Sequence, residues 1–242
     1  MKRRPLALLA VVVVAVIAAV AIKILVLDRR STPPTQASSS SSVLALTWGP
    51  SLCRAEPSTP GCRSGHVRKL GQALLLHGLW PQPSTEQYCD LPKGSADRKS
   101  VALPDDVRNT LRDMMSDEKF MSSHEWYAHG TCSGVTPSEY FGIAAALAKQ
   151  VSTVLNPVIA RADGTRLSPG IVRDAVDAKF GRGSGQRVAL TCRDVGGQGP
   201  VIYEVRVSLP PVVDLGTAPN LADALTRGPV ISPGCGKGRV VR

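Results

Sequence analysis

The sequence predicts an α+β fold, an antiparallel sheet packed with several helices in one disulfide-stapled domain. Three observations carry this. Short apolar runs between turn residues mark strands, and capped segments with helical spacing mark helices. The two kinds are interspersed without a regular βαβ rhythm. Six cysteines, at 53, 62, 89, 132, 192 and 235, follow an export signal, and an even number in an exported domain favours three disulfides without choosing the pairing.

Of 242 residues 43% are hydrophobic, which excludes both global disorder and a multi-span membrane protein. The formal net charge is +10. The first 42 residues hold six Lys or Arg and one Asp, leaving 23 Lys or Arg against 18 Asp or Glu, a charge of +5, on residues 43–242. That modest field is compatible with a polyanionic partner without demanding one.

Lys2, Arg3 and Arg4 precede the uninterrupted apolar run Leu6 to Ile22, and after Lys23 the run resumes from Ile24 to Leu27. About 20 helical residues cross a bilayer, and the flanking charges keep the N-terminus inside. Ala19-Val20-Ala21 also fits a signal-peptidase site. Residues 1–30 are therefore read as a signal peptide or an anchor held in the membrane through residues 6–27. Both place the remainder outside, secreted or at the cell surface. Residues 31–42, with Pro33-Pro34 and five serines from Ser38, read as a flexible linker, and 43–242 as the folded domain.

Within that domain, Val43 to Trp48 and Gln72 to Leu76 read as strands, the second ending at His77. Asp105 to Met115 carries Val107, Leu111 and Met114 at helical spacing. Thr136-Pro137-Ser138-Glu139 is a capping box with Pro at the first helical position, opening a helix to about Leu155. Ser168-Pro169 opens another through Phe180, stopped by Gly181. Gln186 to Arg193 and Val201 to Val207 read as half-buried strands, the latter with Val201, Tyr203, Val205 and Val207 on one face. The Gly-rich loop from Gly196 to Gly199 lets them pair as a hairpin.

The chemistry is concentrated in His77-Gly78-Leu79-Trp80-Pro81 and in the segment His124-Glu125-Trp126-Tyr127-Ala128-His129-Gly130-Thr131-Cys132. On a continuous helix Glu125 and His129 share one face, whereas His124 and His129 are rotated about 140° apart. That rotation differs from the one-face H-E-x-x-H pattern of zinc proteases and argues against zinc. Taken singly, His77 reads as a turn residue, Trp80 and Trp126 as core aromatics, and Glu125–His129 as a surface pair. His66 lies in a polar loop without a motif. Only the two segments together point to acid–base work by imidazoles.

Together they resemble the active-site blocks of the ribonuclease T2 family, H-G-L-W-P and H-E-W-x-K-H-G-T-C, with Ala128 in the Lys place. Leu44 to Cys53 is similar to that family's first strand and the Cys after it. The resemblance implies a metal-independent endoribonuclease that needs no cofactor and acts, as a monomer, on single-stranded RNA through a 2′,3′-cyclic phosphate. It implies His129 as base, His77 as acid, Glu125 as transition-state stabiliser and His124 as phosphate ligand. Trp80 and Tyr88 would be base platforms, and Gln82, in place of a frequent acidic residue, implies broad specificity. It also implies the disulfides Cys89–Cys132, Cys192–Cys235 and Cys53–Cys62. Ala128 removes a cation from the reacting phosphate, which Arg68 or Lys69 would have to replace. The same departure leaves open a second reading, a weakened RNA-binding protein on this fold.

Overall fold

The computed structural model describes residues 39–89, 91, 100–197 and 199–242. The signal or anchor segment, and the linker up to residue 38, lie outside the described residues. Strand β1 (Ser41–Trp48) is followed by three short helices, α1 (Gly49–Ala55), α2 (Pro60–Arg63) and α3 (His66–Leu70), and by β2 (Leu74–Gln82). Next come α4 (Asp105–Arg112), α5 (Glu118–Ala128), a 3₁₀ turn (Gly130–Cys132) and the long α6 (Pro137–Arg161). The chain closes with β3 (Arg166–Leu167), α7 (Pro169–Phe180), β4 (Val188–Asp194), β5 (Pro200–Leu209), α8 (Leu221–Arg227) and β6 (Gly238–Arg239).

The six strands form one sheet in the order β2-β1-β5-β6-β3, with β4 paired to β5. It is mixed rather than purely antiparallel, because β6 joins β5 in parallel at Val201–Arg239. That pairing brings the C-terminal segment against the sheet, where Val241 accepts a hydrogen bond from the buried Trp48 indole at 2.8 Å. Strand β1 begins at Ser41, two residues before the boundary read from the sequence. The Ser42 hydroxyl, fully buried, donates to Pro210 O at 2.7 Å, so the end of the serine tract is structural.

One sheet face carries the main core. Leu44, Leu46, Leu76, Leu79, Val205 and Val207 pack there with Tyr140, Phe141, Ile143 and Leu147 of α6. The Thr136 capping box forms, and α6 continues past the expected end at Leu155 to Arg161, with Pro157 inside it. Among the described residues α6 alone is long and apolar enough to cross a membrane, yet its apolar side is this core.

The opposite face carries polar groups, and two β-bulges put them there. In β1–β2 pairing Ala45 opposes Gly78 while Leu46 opposes Leu76, so His77 is an extra residue inside the strand. Leu76 and Leu79, three apart, both reach the core. His77 and Gly78 between them both belong to the other face, as a bulge allows. The same happens in β5, where Thr191 opposes Glu204 and Cys192 opposes Ile202 across an extra Tyr203. Ile202 and Val205 enter the main core, and Tyr203 joins a small cluster with Leu52, Val67 and Leu75. Two expectations are corrected: His77 does not end a strand, and Tyr203 does not share a face with Val205 and Val207.

Three disulfides join Cys53–Cys62, Cys89–Cys132 and Cys192–Cys235, the same pairs the resemblance implies.

Candidate active site

The polar face is assembled from β1, β2 and β5, with the end of α5 laid over it. Asp117 caps α5, accepting from the Phe120 N–H at 3.0 Å. The helix stops at Ala128, because His129 leaves helical conformation (φ −125°) before Gly130. A Cβ at Gly130 would sit 2.2 Å from the Trp126 ring, so only glycine lets the chain turn across that indole.

Glu125 is fully buried. Its Oε2 accepts from the Trp80 indole N–H at 2.9 Å, and its Oε1 lies 3.6 Å from His77 Nε2. A Cβ at Gly78 would come within 1.8 Å of Oε2. Glycine at 78 is therefore what lets the carboxylate lie directly on the strand. Burial pushes the Glu125 carboxyl above its ordinary range, against the lowering effect of His77 and the Trp80 hydrogen bond.

The Trp80 ring approaches both principal imidazoles, its centroid 5.1 Å from that of His77, edge-on, and 5.5 Å from that of His129. His124 is 6.4 Å from His129 and stacks parallel on Phe120 at 6.1 Å, one helical turn away. Tyr88 enters through its backbone, at φ 55°, donating its N–H to Ala128 O at 3.0 Å beside the Cys89–Cys132 bridge. His66 bonds Met115 O through Nε2 at 3.2 Å and is structural. Arg68 and Lys69 are exposed on α3, and Arg68 lines a separate hollow with Gly49, Pro50 and Arg242.

The sequence reading missed Glu204 and Arg206. Glu204 is 2% exposed, and its Oε1 accepts from His77 Nδ1 at 2.7 Å. Thr47, its cross-strand neighbour, lies 3.4 Å from both groups. Arg206 donates to Glu204 Oε2 through Nε at 3.0 Å, and its Nη2 lies 3.0 Å from the same oxygen as an ion pair. The available signal was Val201-Ile202-Tyr203-Glu204-Val205-Arg206-Val207 itself. An acid and a base in the middle of an apolar strand need partners if buried.

The two imidazoles are driven in opposite directions. For His77, burial works against the charged ring, but the Glu204 hydrogen bond and the Glu125 and Glu204 charges outweigh it and raise its pKa. For His129, burial and then the neighbouring His124 and His77 act together and lower it to about 4. Glu204 is held below its ordinary range despite burial, by the His77 hydrogen bond and by the charges of His77 and Arg206. Ionised, it only accepts hydrogen bonds, so His77 Nδ1 carries a proton and Nε2 faces Glu125. The arrangement sets an imidazole of lowered pKa and one of raised pKa around a buried carboxyl, beside a cavity of about 290 Å³ lined by Thr47, His77, Phe120, Met121 and Tyr203.

His124, Glu125 and His129 also offer three potential metal-ligand atoms within 4.8 Å of one another. The rotation expected of a continuous helix does not apply, because α5 ends between the two histidines. The donor set thus fits a divalent ion on geometry, although the Glu125 carboxyl is already engaged by Trp80.

Known proteins match both sequence and fold. The sequence is 30% identical over 147 residues to Ribonuclease MC of Momordica charantia, covering 58% of this chain and 74% of that protein. It is 28% identical over 149 residues to a ribonuclease of Aeromonas hydrophila, covering 60% of this chain and 59% of that protein. Among solved structures, a variant of RNase MC1 in complex with 5′-GMP superposes with a TM-score of 0.56 at 22% identity, covering 84% of this chain and 100% of that one. The self-incompatibility-associated SF11-RNase of Nicotiana alata does so with 0.55 at 20% identity, covering 85% and 100%. Residues 40–217 match the sequence profile of the Ribonuclease T2 family, and the chain belongs to that family.

Proposed function

We propose that the chain is an endoribonuclease that cleaves single-stranded RNA by transphosphorylation, leaving a 2′,3′-cyclic phosphate. The observation that carries this reading is the gathering of His77, His129 and the buried Glu125 carboxyl around the Trp80 ring, with Glu204 on His77 Nδ1, and the opposed pKa shifts of the two imidazoles support it. Such a split divides acid from base. Neutral His129 takes the proton of the 2′-OH, whose oxygen attacks phosphorus. Protonated His77 gives its Nε2 proton to the departing 5′-oxygen, while Glu204 holds Nδ1 and keeps the ring oriented. Glu125, fixed by the Trp80 indole N–H and 3.6 Å from His77 Nε2, helps stabilise the phosphorane-like transition state by holding the protonated His77 ring in place. His124 binds the phosphate at the mouth of the site. Trp80 spaces the imidazoles, and the adjoining cavity receives a nucleoside. DNA lacks the nucleophile and does not react.

No step is assigned to a metal. The three disulfides support an oxidising compartment, hence export of the domain. Alanine at position 128 supports a second reading, an RNA-binding protein with weakened turnover on the same fold. The test is cleavage of a defined single-stranded RNA by the full chain in EDTA, beside His129→Ala. Cyclic-phosphate ends from the parent, with a loss of at least about 10² in rate in the variant, are expected. A folded parent that binds the RNA without cleaving it at acidic or neutral pH sinks the enzyme reading in favour of the binder.

A further inference from the structure

The reaction proposed above builds charge on the non-bridging phosphoryl oxygens, yet position 128 offers only a buried alanine, 2% exposed. A guanidinium reaches the site from elsewhere. Arg206 Cζ lies over the Trp80 ring, 5.3 Å from its centroid, and that ring touches both His77 and His129.

Sheet register explains how a side chain on β5 gets there. Arg206 pairs with Ala45, and Ala45 pairs with Gly78, over which Glu125 lies. Arg206, a methyl group and a bare glycine thus form one row across three strands. The two strand spacings, about 9.5 Å, contain no bulky side chain in that row. An extended arginine covers most of this distance.

The guanidinium is also seated. Nε donates to Glu204 Oε2 and Nη2 is ion-paired with that oxygen, on the carboxylate whose other oxygen holds His77. This hydrogen bond uses one of five N–H donors. Among the described residues Arg206 makes no other hydrogen bond, and its side chain is 43% exposed. The remaining N–H donors are open to solvent next to Trp80, where a substrate oxygen can reach them.

We propose that Arg206 is a substrate-contacting cation of this site, which donates its remaining guanidinium N–H groups to the non-bridging oxygens of the scissile phosphate while Glu204 fixes its position. The assignment rests on the transphosphorylation reading. No bond to Arg206 forms or breaks; the guanidinium neutralises charge that grows toward the transition state.

The test uses the full chain with Arg206→Gln, Arg206→Lys and Arg206→Ala. Each is assayed for kcat and KM on a short oligoribonucleotide across acidic to mildly alkaline pH. Binding of inorganic phosphate is measured separately by calorimetry, so that it is read without turnover. Arg206→Gln is expected to lose roughly 10- to 100-fold in kcat and about tenfold in phosphate affinity. Arg206→Lys should retain most of both, and free guanidinium ion should restore part of the rate of Arg206→Ala. Thermal melting verifies folding, and the conservative lysine variant decides if the others unfold.

Two results overturn the proposal. One is a Gln variant with unchanged rate and unchanged phosphate affinity. The other is a slower variant with unchanged phosphate affinity and only its alkaline pH limb displaced, which assigns Arg206 to holding Glu204 alone. An inactive parent whose phosphate affinity still depends on Arg206 would instead defeat the transphosphorylation reading and leave the phosphate contact standing.

Discussion

At the scale of single residues the account turns on which imidazole carries a proton, and Glu204 sets that for His77. A buried carboxylate 2.7 Å from Nδ1 fixes the tautomer and favours the imidazolium. Glu204→Gln keeps the shape and removes the charge. It should lower the His77 pKa, so the alkaline limb of kcat/KM moves to lower pH, and should reduce kcat roughly 10-fold or more. A variant with an unmoved limb would remove Glu204 from the mechanism. Neither Glu204 nor Arg206 belongs to the two motif blocks, and that is why the sequence reading passed over them. His77, Trp80, Glu125 and His129 were legible because each block is contiguous. Glu204 and Arg206 join them only through the pairing of Thr47 with Glu204 and Ala45 with Arg206, which the linear chain does not display.

At the scale of elements, two irregularities aim the side chains: the bulge at His77 and the abrupt end of α5. Read as a short apolar run between turn residues, the second strand stops at His77, whereas β2 runs through the whole motif to Gln82. The clue was present as Leu76 and Leu79, a spacing of three between core residues that neither a regular strand nor a turn explains. Helical arithmetic likewise carried α5 through His129 and separated His124 from it. The chain instead breaks helical conformation at His129, where the close approach of Trp126 to Gly130 needs a residue without Cβ. Gly130→Ala should therefore displace the indole or the turn. We expect a loss of about 1–3 kcal/mol from overpacking, seen as a lower Tm, and a fall in activity larger than the stability change alone explains. A variant with native Tm and activity would show that the turn does not depend on this contact. The starts of α6 and α7 and the stop of α7 at Gly181 were placed well from sequence, since the Thr136 capping box and a Pro in the first turn of each helix act locally, although the Ser168 side chain makes no cap and α6 runs on to Arg161.

For the molecule as a whole, one sheet separates two jobs. Its apolar face, closed by α6, builds the core, and its polar face carries two imidazoles, two buried carboxyls and one guanidinium. Cys89–Cys132 ties the segment after β2 to the turn after α5, holding the two motif blocks to one another. The divided protonation of the site predicts a bell-shaped kcat/KM in the weakly acidic range. Below about pH 4 His129 is protonated and accepts nothing, and above the raised pKa of His77 the acid is lost. The most direct measurement is the NMR titration of the imidazoles in the full chain, with each signal assigned by its loss in His77→Ala or His129→Ala. His129 is expected to titrate near 4 and His77 above its ordinary 6.5. Both rings titrating together near 6.5, or His129 above His77, would contradict that division.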